Sequence, residues 1–351
     1  ASLIYLSIRN RYPENGCKRL RKIANQGMPD ADTFYIRLGK KSMQEIKKEF
    51  MNIQKSIIER IRRKIRDREI IVLIDEHEIP WFGEPNEYVV GTKNFHGTKF
   101  CFKYITINAL IEDYKICLYA LPITPFSRKD KLVDELICVT KNWFKIGLVL
   151  FDRGFSADSK ILKVVEKYEL RYVAPMEKHD RIKRLANLGD GVNPFYHTCY
   201  EFGKEKVKTN LFFIPNGKIE KETWKRYHIF CTNIDADIES LAELYGKRWN
   251  IENFYRDAEN NFMVKTKTAD LIIRYFFFLF MSLLYNLWYF VRIYYPITAE
   301  EWKDLVEEEL VKENKMERII NMLIQLKLFY SSFLQGYRSI FCYYFLRYSK
   351  F

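Results

Sequence analysis

From residue 16 to about residue 68, apolar positions (Leu20, Ile23, Ile46, Phe50, Ile53, Ile57, Ile58 and Ile61) recur at three- and four-residue steps among basic residues. That is the period of amphipathic helices. Asp32 or Thr33 and Ser42 stand where N-caps are needed, and Glu45 follows Ser42 by three, completing a capping box. The region reads as a small basic helical unit ending in a long helix. The period then changes: Ile70-Ile71-Val72-Leu73-Ile74 is a β-branched run, the mark of a strand buried on both faces, and it is expected to end at Asp75.

Residues 80–97, rich in Gly, Pro and Asn, predict a loop. Residues 100–109 and 115–121 then alternate like two antiparallel strands turning at Glu112-Asp113, and a helix is expected over 129–144. A second buried strand, 146–151, stops on another acid, Asp152, with Gly154 close behind. Ser156 is placed to cap a helix to about Tyr168, and residues 170–175 predict a further strand. Three strands, then helix, strand, helix, strand is the layout of a ribonuclease H-like mixed sheet flanked by helices.

Residues 178–224 are basic and turn-rich, with strands predicted at 195–202 and 209–214. They read as a β-rich insertion. One more strand at 227–232 precedes a helical segment, 238–260, and the remainder is helical, with an amphipathic stretch at 299–328. The expected units are therefore a basic helical domain (1–67), a ribonuclease H-like core in two parts (68–177 and 227–295) around the insertion (178–226), and a helical C-terminal region (296–351).

Composition sharpens this picture. The chain of 351 residues carries 58 Lys and Arg against 45 Asp and Glu, a net charge of +13, and the first 70 residues hold 18 basic against 8 acidic. A basic excess gathered at one end favours a polyanion, because phosphate neutralisation with counterion release drives non-specific nucleic-acid binding. The seven cysteines are scattered, without a C-x-x-C pair or zinc spacing, and read as buried thiols in a reducing compartment. No secretory signal is visible at the N-terminus. Residues 275–291 are apolar enough to test as a membrane span, but Ser282 and Asn286 interrupt them and no second such span follows, so a buried helix is expected and no membrane partner.

Two acids closing two buried strands, plus one on a helix laid over them, could gather three hard oxygen ligands for divalent metal. Asp75, Asp152 and Glu252 fit that arrangement. Singly, each acid reads as a cap or turn residue, and an Arg248 and Glu252 pair reads as a surface ion pair. Asp75-Glu76-His77-Glu78 could form a different metal box, but no second His stands at the H-x-x-x-H spacing of a zinc hydrolase. No phosphate loop, G-x-S-x-G elbow or dinucleotide fingerprint is present.

Asp152-Arg153-Gly154-Phe155 resembles the D-R-G-F element around the second catalytic aspartate of insertion-sequence DDE transposases. Tyr245-x2-Arg248-x3-Glu252, with Trp249, Ile251 and Phe254, is similar to the Tyr-Arg-Glu signature of the IS-four family, and Thr232-Asn233 to the T-N before it. The resemblance covers residues 70–287. It implies a DNA endonuclease and strand transferase of the cut-and-paste type, in which Asp75, Asp152 and Glu252 are catalytic and bind two Mg2+ or Mn2+ ions. Tyr245, Arg248 and Arg153 would contact double-stranded DNA, and the chain would pair as a homodimer on transposon ends in a prokaryotic cytoplasm, associated with the nucleoid. The signature continues with Lys seven residues after the Glu, where this chain has Glu259; Lys265 and Lys267 are the candidates to replace that DNA contact. The competing readings are a DNA-binding protein that has lost catalysis and a metal-dependent nuclease without strand transfer.

Overall fold

The structure, a computed structural model, describes residues 2–312 apart from 25–28, 67, 96, 112–113, 156–157, 236–237 and 247–248. Four helices come first: α1 (Ser2–Ile8), α2 (Pro13–Ala24), α3 (Ala31–Gly39) and α4 (Met43–Ile65). The capping box of α4 forms, with Ser42 Oγ accepting from Glu45 N at 3.2 Å and the Glu45 carboxylate from Ser42 N at 2.7 Å. Helix α3 begins behind Asp30 rather than Asp32 or Thr33.

The strands and helices that follow are β1 (Ile70–Trp81), β2 (Val90–Phe95), β3 (Thr98–Ile111), β4 (Tyr114–Ile123), α5 (Lys129–Lys141), β5 (Ile146–Phe151), α6 (Ser159–Lys167) and β6 (Arg171–Pro175). After them come α7 (Asp180–Ala186), β7 (Phe195–Phe202), β8 (Val207–Pro215), β9 (Tyr227–Thr232), α8 (Ile238–Gly246), α9 (Trp249–Phe262), α10 (Leu271–Tyr294) and α11 (Ala299–Lys312).

Three further local expectations change. Strand β1 does not end at Asp75 but continues to Trp81, because the charged residues beyond Asp75 find partners on both faces of the sheet. The stretch read as a loop contains β2, short and turn-like in composition, which takes its hydrogen bonds from β3. Helix α6 starts behind Asp158, whose Oδ1 accepts from Lys160 N at 2.9 Å, while Ser156 lies outside the described residues. So do Glu112 and Asp113 of the expected turn and residues 313–328 of the expected last helix.

All nine strands join one mixed sheet in the order β2-β3-β1-β5-β6-β9-β8-β7, with β4 also paired to β3. Strand β1 takes one edge of β3 over residues 100–110, so β2 and β4 share the other. The centre is parallel, β1 with β5 and β5 with β6, which requires helical crossovers and explains why these strands are continuous apolar runs. Strands β7 and β8 extend the same sheet through β9, antiparallel throughout.

Helix α10 is long and apolar enough to cross a membrane by composition, yet 72% of its apolar window is buried inside the protein, against β4, α9, α4 and α3. Its polar interruption has a use there. Strand β4 bulges where Ile107 faces Tyr119 but Asn108 faces Cys117. At that point Asn286 Nδ2 donates to Cys117 O at 2.8 Å, its Oδ1 accepts from Cys117 N at 3.0 Å, and Gln54 of α4 donates to the same carbonyl at 2.7 Å. A buried polar side chain thus satisfies backbone that the bulge leaves out of the ladder. The N-terminal helices share this core: Tyr5, Leu20, Phe50 and Ile58 belong to one buried cluster with Val72, Ile107, Val149 and Tyr285.

Candidate active site

Asp75 and Asp152 meet through strand register. The last paired residues of parallel strands β1 and β5, which run about one interstrand spacing of ~4.8 Å apart, are Ile74 and Phe151, so each aspartate comes one residue after this pair on neighbouring strands. Asp75 is only 9% exposed, and its Oδ1 accepts from Glu76 N at 2.8 Å; Asp152 is half-buried where β5 ends. Burial of a carboxylate beside a second one is costly unless cations or hydrogen bonds answer the charge.

Helix α9 is laid over this point. Its buried residues, Phe254, Tyr255, Ala258 and Phe262, fall on one face at helical spacing, and that face packs on α10 and β4. Thr106, directly across from Asp75 on β3, shares a 2.6 Å hydrogen bond with the Tyr255 hydroxyl and accepts another from Asn108 at 2.6 Å. Burial, and next the charge of Asp75, hold the Tyr255 phenol well above its ordinary range. Two residues along β1 on the same face, the His77 ring stacks on Tyr255 at 4.2 Å, and its Nε2 lies 3.0 Å from Glu259 Oε1. Glu252 lies in α9, one turn before Tyr255; its side chain is outside the described residues.

On the opposite face of β1, Glu76 and Glu78 form a separate charged network with Lys103 of β3 and Lys129 of α5. Lys103 Nζ lies 3.2 Å from Glu76 and 2.7 Å from Glu78, and Lys129 Nζ lies 2.5 Å from Glu76. Burial lowers the Lys103 pKa, but the two carboxylates outweigh it and raise the value overall. Burial pushes Glu78 up, and hydrogen bonds from Lys103 and Thr92 carry it below its ordinary value. Glu76, His77 and Glu78 are therefore engaged with Lys and Glu partners on two different faces, which does not favour a metal box built from consecutive residues.

Among the described residues no group of three or more His, Cys, Asp or Glu is assembled to hold a metal. The donor set of Asp75 and Asp152 fits a divalent cation by its chemistry, since carboxylate oxygens on two adjacent strands are the hard ligands that magnesium and manganese take. The six cysteines at positions 17, 101, 117, 138, 199 and 231 are free thiols, and burial pushes those of Cys117 and Cys231 up to about 12, which makes them inert.

The residues expected at DNA are spread more widely. Lys265 and Lys267 are exposed in the segment after α9, which is fastened to the connection between α1 and α2: Lys265 N donates to Arg11 O at 3.3 Å, and Lys267 Nζ lies 5.8 Å from the Tyr12 ring centre. Tyr245 of α8 packs its ring 4.6 Å from that of Phe230. Arg248 and the side chain of Arg153 lie outside the described residues. Trp224, half-buried, has the ammonium groups of Lys178, Lys183 and Lys225 at 5.2 to 5.5 Å from its ring centre. A cavity of about 620 Å³ is lined by four basic residues, Arg128, Lys160, Lys163 and Lys167, against three acidic ones, Asp130, Glu166 and Glu205, and neither Asp75 nor Asp152 lines it.

Thr106, Tyr255, Lys103 and Lys129 were not legible as site residues, because only long-range pairing brings them to β1. His77 carried a faint signal, the alternation that sets it on the face of Asp75 if the strand continues.

Comparisons with known proteins bear on the fold and the family. A solved structure of the piggyBac transposase synaptic complex with hairpin DNA is similar over 73% of this chain, with 11% identity and a TM-score of 0.51; this chain spans 56% of that one, and the likeness speaks to the fold alone. The NurA nuclease from Sulfolobus solfataricus matches over 61% of this chain and 84% of its own, at 10% identity and a TM-score of 0.28, too slight a likeness to argue from. No curated protein matches the sequence. The family described as Transposase DDE domain matches residues 66–287. That match covers more than half of the chain and reaches from just before β1 into α10, taking in both aspartate-bearing strands and the helix of Glu252, and the chain belongs to the transposase DDE-domain family.

Proposed function

We propose that this protein is a metal-dependent DNA transposase of the cut-and-paste type, built on a ribonuclease H-like sheet. The observation that carries the reading is the register of β1 against β5, which sets Asp75 and Asp152 side by side beneath the helix of Glu252. The core order β4-β3-β1-β5-β6, antiparallel on one side and parallel on the other, supports the ribonuclease H-like assignment.

Asp75, Asp152 and Glu252 would hold two magnesium or manganese ions. When bound, such ions make water and then a 3′-hydroxyl nucleophilic and stabilise charge on the departing oxygen. The chain's own residues do the rest. Tyr255, through Thr106, keeps α9 seated at the level of Asp75. Exposed Lys265 and Lys267, with Arg153, Tyr245 and Arg248, would position phosphates at the transposon end, and the basic N-terminal helices would hold flanking duplex. Each step exchanges one P–O bond for another, so hydrolysis at the end and attack on target DNA need no nucleotide cofactor. Two transposon ends need two such sites, and the protein would act as a homodimer on nucleoid DNA in the prokaryotic cytoplasm.

Glu259, which stands where the signature has Lys, has a partner inside the fold in His77, so its charge does not argue against activity. The deciding experiment compares the parent with Asp152→Ala on supercoiled plasmid in magnesium or manganese. The parent should nick and the variant should not, and cleaved ends should become joined to target DNA. A parent that leaves plasmid intact removes the enzyme reading, and cleavage without joining reduces it to a nuclease.

A further inference from the structure

We infer that His77 and Glu259 form a positioning pair that sets helix α9 on strand β1, so that position 259 serves the seating of the catalytic helix rather than contact with DNA. The inference rests on the metal-dependent reading of Asp75, Asp152 and Glu252.

The geometry is that of a clip near the acidic site. His77 follows Asp75 by two residues on β1 and shares its face, about 6.6 Å further along the strand. Glu259 follows Glu252 by seven residues on α9, about 10.5 Å further along the helix and, two turns on, nearly above it. The pair at 3.0 Å therefore fixes both how far α9 has slid along β1 and how it is rotated, the two quantities that decide where a residue two turns earlier falls.

Each partner is itself held. The His77 side chain is 13% exposed, stacked on Tyr255 at an interplanar angle of 15° and flanked by Phe278 at 6.0 Å. The Glu259 carbonyl accepts from Asn10 Nδ2 at 3.3 Å, and the same amide reaches Asn260 O, so the last turn of α9 is gripped by β1 through a side chain and by the N-terminal region through its backbone. A Lys at 259, the residue of the family signature, would present an ammonium to the imidazole in place of an acceptor. Lys265 and Lys267, exposed just beyond α9, are cations of this region that can face phosphate.

Three variants test this: Glu259→Gln, Glu259→Lys and His77→Ala, each read by Mn2+ titration calorimetry without DNA and by kcat and KM for plasmid nicking. Residues that orient metal ligands typically cost about 10-fold or more in metal affinity when lost, and Glu259→Lys and His77→Ala should weaken Mn2+ binding by about that factor and lower kcat, with KM for DNA unchanged. Glu259→Gln keeps an acceptor for the ring nitrogen and should behave as the parent. Should His77→Ala fail to fold, the contrast between Gln and Lys at 259 still decides. The inference is overturned if Glu259→Lys keeps parental Mn2+ affinity and lowers KM, which would make 259 a DNA contact, or if the variants lose thermal stability while Mn2+ affinity and kcat stay parental. A parent that binds no Mn2+, or an Asp152→Ala that binds it equally well, instead overturns the nuclease reading and this inference with it.

Discussion

Thr106, the cross-strand neighbour of Asp75, shares a 2.6 Å hydrogen bond with Tyr255, so the helix that carries Glu252 is fastened to the sheet at the level of the first candidate carboxylate. Removing only that hydroxyl, in Tyr255→Phe, should cost about 1 kcal/mol, because Thr106 keeps its bond from Asn108. Tyr255→Ala should cost about 3–5 kcal/mol through the cavity left in the core. Urea unfolding measures both. Equal costs for the two variants would mean that the ring contributes nothing beyond its hydroxyl.

Replacing either aspartate or the glutamate by its amide should leave the fold intact and lower nicking by roughly 10³-fold, equivalent to about 4 kcal/mol of lost charge stabilisation. Asp75→Asn, Asp152→Asn and Glu252→Gln are compared by single-turnover cleavage, with circular dichroism as the control. Undiminished cleavage in any one of them removes that residue from the site.

Lys103 makes a pH-dependent contribution through Glu78. The folded pKa of Glu78 is depressed, so the stability it brings is present above its unfolded value of about 4.3 and is lost as pH falls through the lower folded value. Lys103→Met leaves the carboxylate without this partner and should cost about 2 kcal/mol near neutral pH. The gap to the parent should close below about pH 4, as Glu78 is protonated in both. A constant gap down to acid pH would show that packing, not charge, is what Lys103 supplies.

Arg274 is 7% exposed, with its guanidinium 4.7 Å over Trp81 and 4.2 Å over Phe102, and it donates to the carbonyls of Thr268 at 2.5 Å and Thr266 at 3.2 Å. Those two residues flank Lys267. Arg274→Met should cost about 3 kcal/mol by leaving the carbonyls without their charged donor, and Arg274→Lys should not restore it, since an ammonium cannot reproduce the planar fork. Chemical denaturation of the three proteins gives the comparison.

DNA affinity should be steeply salt-dependent. With six or more phosphates contacted, it should fall by roughly 10³-fold between ~50 and ~200 mM salt. Lys265→Ala and Lys267→Ala should each reduce the logarithmic slope by about 1. A slope that stays the same in both variants would place the bound duplex elsewhere on the protein.

The parts of the fold legible from sequence were those in which one chain segment states its own environment. Residues 70–74 and 146–151 are apolar at every position because they are buried on both faces, and Ser42 with Glu45 spells out a cap within four residues. The second half of β1 was not legible: Glu76, His77 and Glu78 look like loop composition until Lys103, Lys129 and Glu259, distant in sequence, are brought to them. Asn286 shows the same limit from the other side, since its polarity argued against a membrane span without revealing that a bulge in β4 requires it. For the candidate site, the two strands could be read from the residues and Glu252 only from the D-R-G-F and Tyr-Arg-Glu likeness, because an acid on a helix carries no local sign of what it faces.

The family match opens at residue 66, yet the protein is not divisible there. Ser7 donates to the carbonyl of Phe262 at the end of α9, Asn10 holds the turn before it, and Phe50 and Ile58 bury themselves in the core of the sheet. An excised piece beginning at β1 would lose its cover over the apolar core and the brace on the helix of Glu252 together. The stretch that the family match covers is therefore smaller than the stretch that shares one buried core.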